Sequence, residues 1–478
     1  MPAGSLHYET KKTLQICTRL KSRLHSQIVL PAEEAFEALR TANWDQVTWK
    51  KPACIATPNC TESVQQMVQL LVDANASFAV RSGGHSPSPG ASNIENGVLI
   101  DISRISEISL DTTQNLVRIS PGVRWRDVHS ILSPNNVTVV APRVLDVGVG
   151  GSILGGGISY LSERYGLACD NAVEFEVVLA NGNVVTANAT SHRDLFWALK
   201  GGGNNFGIIT KITTRTHPIS MVWGGYRVYA ADQLPAVLSA FATYQDTVDD
   251  PDANLLLSIP LSNLTRSGFI LNLVYFRPLV EPAALRAFSN IPHVVDMTKV
   301  QRYEELLGSA PLPDLPRWGF RATSFSANDS LYHEILNDTF RAPELGAFSN
   351  ITGGTFVFNM QPISRRIFQY GREGVGNPLG IRDVKQLWGA FSTGWWSADD
   401  DAQAHTLTKA LVVRVETLTR RSGQHLDYLF MNDADWDQKV LQSYGDKSLS
   451  RLRQVNYKYD PTAVFQRLVR GGFKLESA

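Results

Sequence analysis

Cysteine is scarce in this chain, with four among 478 residues. None falls in a Cys-x-x-Cys pair or a Cys/His cluster, which argues against a structural zinc centre; no metal is expected. Cys17 and Cys54 are candidates to pair with each other, while Cys60 and Cys169 stand singly. An excess of one charge is also missing. The 45 basic residues balance 45 acidic ones, so net charge gives no case for a nucleic acid or an anionic membrane as partner. No apolar run reaches membrane-spanning length. Met1 to Leu30 interleaves Lys, Arg and His with its apolar residues and lacks the apolar core of a signal peptide, which favours the cytoplasm. Asn-x-Ser/Thr acceptors at Asn59, Asn75, Asn136, Asn188, Asn263, Asn328, Asn337 and Asn350 leave the secretory route open.

What remains is an ordinary globular composition, 43% hydrophobic and 19% charged, long enough for two or three domains. Residues 1–48 read as helical: Leu14, Cys17, Leu20 and Leu24 recur at helical spacing, and Pro31 opens a second short helix. Residues 49–219 alternate short strands with helices, among them a strand at Phe78–Val80 and one over Val137–Val140. A helix starts at Thr61, whose hydroxyl caps it. Residues 220–425 form a second α+β unit, with strands at Gly224–Tyr229, Leu255–Pro260, Phe269–Phe276 and Thr355–Met360. Its helices span Leu234–Tyr244, Pro282–Ile291 and Ala402–Arg420. Residues 426–478 begin with a strand at Leu426–Met431 and continue as a short helix and a tail. The fold class is α+β, with no internal repeat.

Two glycine-rich stretches carry the chemistry. The first is Arg81-Ser82-Gly83-Gly84-His85-Ser86, directly after the Phe78–Val80 strand. Its glycines let the backbone turn tightly and approach a flat or charged partner. The second runs from Val147 through Gly148, Gly150, Gly151, Ser152, Gly155, Gly156 and Gly157, six glycines in ten residues. Such a loop exposes backbone N–H groups to phosphate oxygens, while its interleaved Val, Ile and Leu demand burial. Neither common nucleotide loop fits. Gly156 stands where a Walker A lysine is required, and Ile153 stands where the third Rossmann glycine belongs.

The order of motifs does match one group. Arg81-Ser-Gly-Gly-His85-Ser, Gly97-Val-Leu-Ile-Asp101 and Val147-Gly-Val-Gly-Gly151 with Gly155–Gly157 come first. Tyr165-Gly-Leu167, Leu195-Phe-Trp197, Lys200-Gly-Gly-Gly203-Asn-Asn-Phe-Gly207 and Lys458-Tyr-Asp-Pro461 follow. Over nearly its whole length the chain resembles the berberine-bridge-enzyme-like FAD-linked oxidases, which have a vanillyl-alcohol-oxidase-type FAD domain, in their fungal secondary-metabolite branch. The resemblance implies a two-part FAD domain and a substrate domain whose sheet covers the flavin. It implies FAD bound covalently through His85, with Arg81 offsetting nearby negative charge. The glycine run would hold the pyrophosphate, helped by Ser152. Gly207 and Ile209 would lie at the adenine end, and Asn456 and Lys458 where the C-terminal segment returns to the flavin. Relatives often add a second link through a cysteine; Val144 takes its place here, so a single link is expected.

The same resemblance places the catalytic strand at Tyr428-Leu-Phe430-Met-Asn432-Asp433. Relatives carry Tyr-x-Asn-Tyr there, and this chain has Phe430 and Asp433 in place of the tyrosines. Asn432, Asp433 and Tyr428 are the catalytic candidates, with His425 as a further substitute base. On the substrate side, Asn359 and Gln361 share one strand face, and Trp395 and Trp396 are candidates to cover it. The function implied is hydride removal from a small natural-product intermediate, an alcohol or phenol, with or without coupled cyclisation. Dioxygen is the expected acceptor. A secreted carbohydrate oxidase and a flavin dehydrogenase with another acceptor are the alternatives.

Overall fold

Three larger sheets, beside a two-stranded pairing of Val137–Thr138 with His217–Pro218, organise the chain in a computed structural model that describes residues 3–262, 267–309, 314–326 and 328–478, with the side chains of 3–12 outside the description. Asn263 lies outside the described residues. The first sheet is small. Cys54–Ala56, Val98–Asp101 and Phe78–Arg81 run parallel, and Ile28–Val29 adds an antiparallel edge. Its three parallel strands bury nearly every side chain, as a parallel sheet covered on both faces must. The second sheet is antiparallel, in the order Ile108–Asp111, Leu116–Ile119, Ile208–Arg215, Ala172–Val178, Val184–Asn188.

The third sheet has nine strands among the described residues and is antiparallel throughout. Its centre is Phe269–Tyr275, Ala253–Pro260, Thr355–Ile363, Gln386–Trp395 and Arg317–Ser326. The period of two divides its faces. Phe356, Phe358 and Met360 pack with Phe391 and Trp395 against the helices Leu234–Thr247, Asp329–Arg341 and Asp401–Arg421. Asn359, Gln361 and Trp388 point the other way, and Trp388 joins the core that contains the glycine run.

Several local expectations give way to tertiary context. Cys60, not Thr61, is the N-cap of the Thr61–Asp73 helix, because the Thr61 hydroxyl is taken by Glu176 across the interface at 2.8 Å. The second helix is Ala35–Arg40, so Pro31 sits in the turn before it. Leu14 faces solvent at 50% exposure, and the buried stripe is Ile16, Cys17, Leu20 and Leu24. The Pro282–Ile291 stretch condenses to a 3₁₀ turn, Ala283–Phe288, and Val137–Val140 to the two-residue strand Val137–Thr138. The strand expected over Leu426–Met431 is only His425–Leu426; Met431–Asp433 turns as a 3₁₀ helix. Cys17 and Cys54 form a disulfide, pinning the first helix to the small sheet across a 37-residue separation. Such a closure contributes roughly 2–4 kcal/mol.

A carboxylate of the N-terminal segment bonds directly to the third sheet. Asp45 Oδ1 accepts from the N–H of Trp318, in the Arg317–Ser326 strand, at 3.1 Å and from that of Val47 at 3.0 Å. Its Oδ2 is buried with no partner among the described residues. Burial raises the Asp45 pKa to about 7, against the two backbone hydrogen bonds. A folded-state pKa above the unfolded value means that stability present in acid is lost as pH rises through about 7. Asp45→Asn keeps the Oδ1 acceptor and removes the orphaned negative charge. The variant should therefore be more stable than wild type by about 1–3 kcal/mol at and above neutrality, with the gap closing as pH falls from about 7 to the free carboxyl's 3.8. Thermal melts across that range check this; parallel pH curves for the two proteins would count against it.

Candidate functional site

The exit turn of the Phe78–Arg81 strand meets the glycine run backbone to backbone. A Cβ added at Gly83 would lie 2.4 Å from the Gly148 nitrogen, and one at Gly148 would lie 2.4 Å from the Gly83 nitrogen. Only two glycines permit that crossing. The turn is braced from behind. Arg81 is buried, with its Nε 3.0 Å from Asp101 Oδ2 and its Nη1 donating to Asn43 Oδ1 at 2.8 Å. It therefore spends its charge on the strand neighbour Asp101, and the expectation that it faces cofactor charge is corrected. Ser82 donates to the Pro121 carbonyl. Gly84, at φ +66°, accepts from the Trp44 N–H at 3.1 Å, and Ser86 Oγ accepts from the Ser88 N–H.

His85 projects from this turn and stacks on Trp44, ring centroids 5.3 Å apart and planes 7° from parallel. Trp44 in turn stacks on Trp318 of the third sheet at 5.6 Å. Burial, with the Arg124 charge, lowers the His85 pKa to about 4, the nearby Asp146 opposing. The imidazole is thus neutral near pH 7 and retains a free nitrogen lone pair.

Beyond the crossing, Val149–Leu154 forms a short helix, and Val147 accepts from the Trp125 N–H. Gly151 has open space where a side chain would be. Ser152 does not face that space: its hydroxyl is buried between Trp125 Nε1 and the Gly148 and Val149 carbonyls. Gly156 and Gly157 have φ of +111° and +74°, a region in which glycine is unstrained. The bare run at Gly148, Gly150 and Gly151, the neutral His85 beside it and the open face at Gly151 fit a flat cofactor with an extended phosphate tail.

The C-terminal arm closes over this run. Asn432 Oδ1 accepts from the Gly157 N–H at 3.0 Å, and its amide lies 3.3 Å from the Gly151 carbonyl. A Cβ at Gly155 would come within 2.2 Å of Asn432 Nδ2, so a side chain there would displace Asn432. Phe430 lies against Gly156. The next residue, Asp433, accepts at Oδ2 from Gln361 Nε2 at 2.8 Å. Gln361 Oε1 accepts from Arg143 Nη1 at 2.5 Å, and Arg143 lies over the Tyr160 ring at 4.9 Å. Burial raises the Asp433 pKa, with the Gln361 hydrogen bond and the Arg143 charge opposing.

Other candidates fall elsewhere. The Tyr428 hydroxyl is buried without a partner among the described residues, its ring packed on Trp388 and Tyr444. His425 is bonded to Thr419 at the far end of the strand pair with Phe325. Asn359 is used within the sheet by Ser258, Ala390 and Ser392. Trp395 has the parity of the helix-covered face and donates to Asp401, and Trp396 is 56% exposed against Gly353; neither covers Gln361. Gly207 allows close approach to Val177 and Val178, and Ile209 is core. Asn456 donates to the Asn205 carbonyl. Lys458 pairs with Asp194 at the surface, which corrects its placement by the flavin. Trp44, Arg143 and Tyr160 were missed. Arg143, just before Val144, was the one with a sequence signal: a lone cation beside the run's apolar approach.

Residues 52–188 match the FAD binding domain family. The chain is 34% identical over 477 residues to the bifunctional solanapyrone synthase of Alternaria solani, across 99% of this chain and 92% of that one. The chain belongs to the berberine-bridge-enzyme-like FAD-linked oxidases. This FAD-dependent oxidoreductase is also 32% identical to an FAD-dependent monooxygenase of Arthrobotrys oligospora, over 96% of this chain and 89% of that one. Its fold is similar to that of 6-hydroxy-D-nicotine oxidase from Arthrobacter nicotinovorans, with TM-score 0.78 and 20% identity over 94% of this chain and 98% of that one. It is also similar to glucooligosaccharide oxidase from Acremonium strictum, a protein with 6-S-cysteinyl, 8α-N1-histidyl FAD, with TM-score 0.75 and 18% identity over 95% and 97%.

The crossing makes a sharp comparison between two glycines of this oxidase. Gly148→Ala forces two backbones apart and should abolish soluble, flavin-loaded protein. Gly151→Ala meets open space on a helix and should fold within about 1 kcal/mol of wild type. Soluble yield and thermal melts decide, and a well-folded Gly148→Ala protein would show that the crossing tolerates a side chain.

Proposed function

We propose that this enzyme oxidises a small natural-product intermediate bearing an alcohol or phenol, with Asp433 as the general base and dioxygen as electron acceptor. The observation that carries the reading is the Asn432–Asp433 pair. One residue is bonded to the glycine run and the next places a carboxylate against Gln361. Bound FAD supplies a hydride acceptor.

The protein's own groups support this division of labour. His85, neutral and held flat by Trp44, is the proposed covalent attachment point, since only an unprotonated imidazole has a lone pair to form the bond. Val144 at the usual cysteine position leaves that link single. Gln361 holds one Asp433 oxygen and leaves the other to accept a substrate hydroxyl proton. An Asp433 whose pKa is raised by burial is a stronger base than an exposed carboxylate. Phe430 against Gly156 and Tyr160 beneath Arg143 are apolar neighbours of these groups, which suits a substrate of modest polarity. Phe430, where sugar-oxidising relatives carry tyrosine, argues against the carbohydrate alternative.

Two outcomes follow. His85→Ala should release its flavin on acid precipitation, whereas wild type should keep the yellow colour in the pellet; colour retained by the variant would refute the attachment. Asp433→Asn should lower kcat by about 10²–10⁴-fold. In wild type, activity should fall as pH drops through the raised Asp433 pKa, on a limb lying above the usual carboxylate range. Steady-state rates with a panel of alcohols, phenols and oligosaccharides, read by peroxide release, test both the base and the substrate class. An unchanged acid limb in Asp433→Asn would assign the base elsewhere.

A further inference from the structure

The fully buried arginines among the described residues are paired with acids, and the half-buried Arg143 is not. Arg81 has Asp101, Arg227 has Asp296 and Glu281, and Arg321 has Asp435 and Asp437. Arg143 has no carboxylate within ion-pair distance among the described residues. Its Nη1 is bound to a neutral amide oxygen, and its Nε is buried without a partner among the described residues. Gln361 stands between Arg143 and Asp433, bonding to each. The amide keeps the cation and the acid in one pocket without letting them neutralise each other directly. The Tyr160 ring lies beneath the guanidinium at 4.9 Å, and the Tyr160 hydroxyl has no hydrogen-bond partner among the described residues.

An unpaired guanidinium in such a site is costly to desolvate unless something else brings the negative charge. Guanidinium binds planar oxyanions through paired N–H donors, and a phenol hydroxyl adds a further donor. We infer that Arg143 and Tyr160 form an anchoring subsite for an acidic oxygen on the substrate, a carboxylate or an ionised phenol or enol, remote from the hydroxyl that Asp433 deprotonates. This rests on the proposed assignment of the Asp433 pocket to the substrate. The anchor gives orientation: a molecule tied at one end to Arg143 turns its other end along Gln361 toward the acid. It also gives selectivity, because a neutral analogue leaves the cation unpaired.

Binding to the flavin-loaded enzyme tests this without turnover. Benzoate and 4-nitrophenolate serve as the two acidic-oxygen probes and benzamide as the neutral isostere of benzoate, with affinity read by calorimetry and by perturbation of the flavin spectrum. Wild type should bind at least one of the anions about tenfold or more tightly than benzamide. The anion that binds identifies which oxygen acid the subsite takes. Arg143→Gln should reduce that preference to near unity, and Arg143→Lys should keep part of it. If Arg143→Gln does not fold, the wild-type ratio and the Arg143→Lys ratio still decide. Equal wild-type affinity for anions and benzamide would overturn the inference, as would an anion preference undiminished in the variants. A changed flavin potential in Arg143→Gln with unchanged probe selectivity would assign the cation to the cofactor instead. Loss of Asp433 dependence in turnover alongside intact probe selectivity would sink the base assignment and leave the anchor standing.

Discussion

Two backbones crossing at van der Waals contact hold the functional region together. Gly83 belongs to the exit of the small parallel sheet and Gly148 to the approach of the glycine run, and each occupies the space where the other's side chain would be. The crossing sets His85 and the open face of Gly151 at fixed places on one ledge. Everything around it serves to keep the crossing closed. Arg81 is tied to Asp101 behind the turn, Ser82 reaches the Pro121 carbonyl, and Trp44 backs the imidazole. A loop made flexible by glycine in isolation becomes rigid here because its neighbours leave it one path.

A second joint sets the distance between the ledge and the acid. Asn432 reaches from the C-terminal arm into the gap left by Gly155, so Asp433 follows within one residue of the glycine run. The third sheet supplies Gln361 from a different part of the chain, and the approach to the glycine run supplies Arg143. The three polar groups form a relay of cation, amide and acid whose members come from three remote stretches of sequence. Burial raises the acid's pKa, while the amide spacer preserves the cation's reach into the pocket.

The two glycine motifs, the imidazole and the α+β class were legible because each rests on local chemistry. Glycine density, strand periodicity and a histidine after a turn need no partner to be seen. The strands Arg317–Ser326 and Gln386–Trp395 were not read, and their absence misplaced Trp395. Without the register against Thr355–Ile363, the side of the sheet that each residue faces is undefined. Long-range partners also reassigned polar groups that looked free. Thr61 went to Glu176, Ser152 to Trp125 and Lys458 to Asp194. A polar side chain in sequence is an offer, and the nearest buried acceptor takes it.

The amino-acid order by itself gave the pairing candidates Cys17 and Cys54 and the run of motifs whose resemblance to a family implied the FAD-oxidase class and the departures at Val144, Phe430 and Asp433, because a motif depends on residue identity and spacing alone. Tertiary structure alone decided that Arg81 is a brace, that Tyr428 is core, and that Arg143 and Gln361 join Asp433. Those outcomes depend on which buried charges find partners, and partners hundreds of residues apart are chosen by packing.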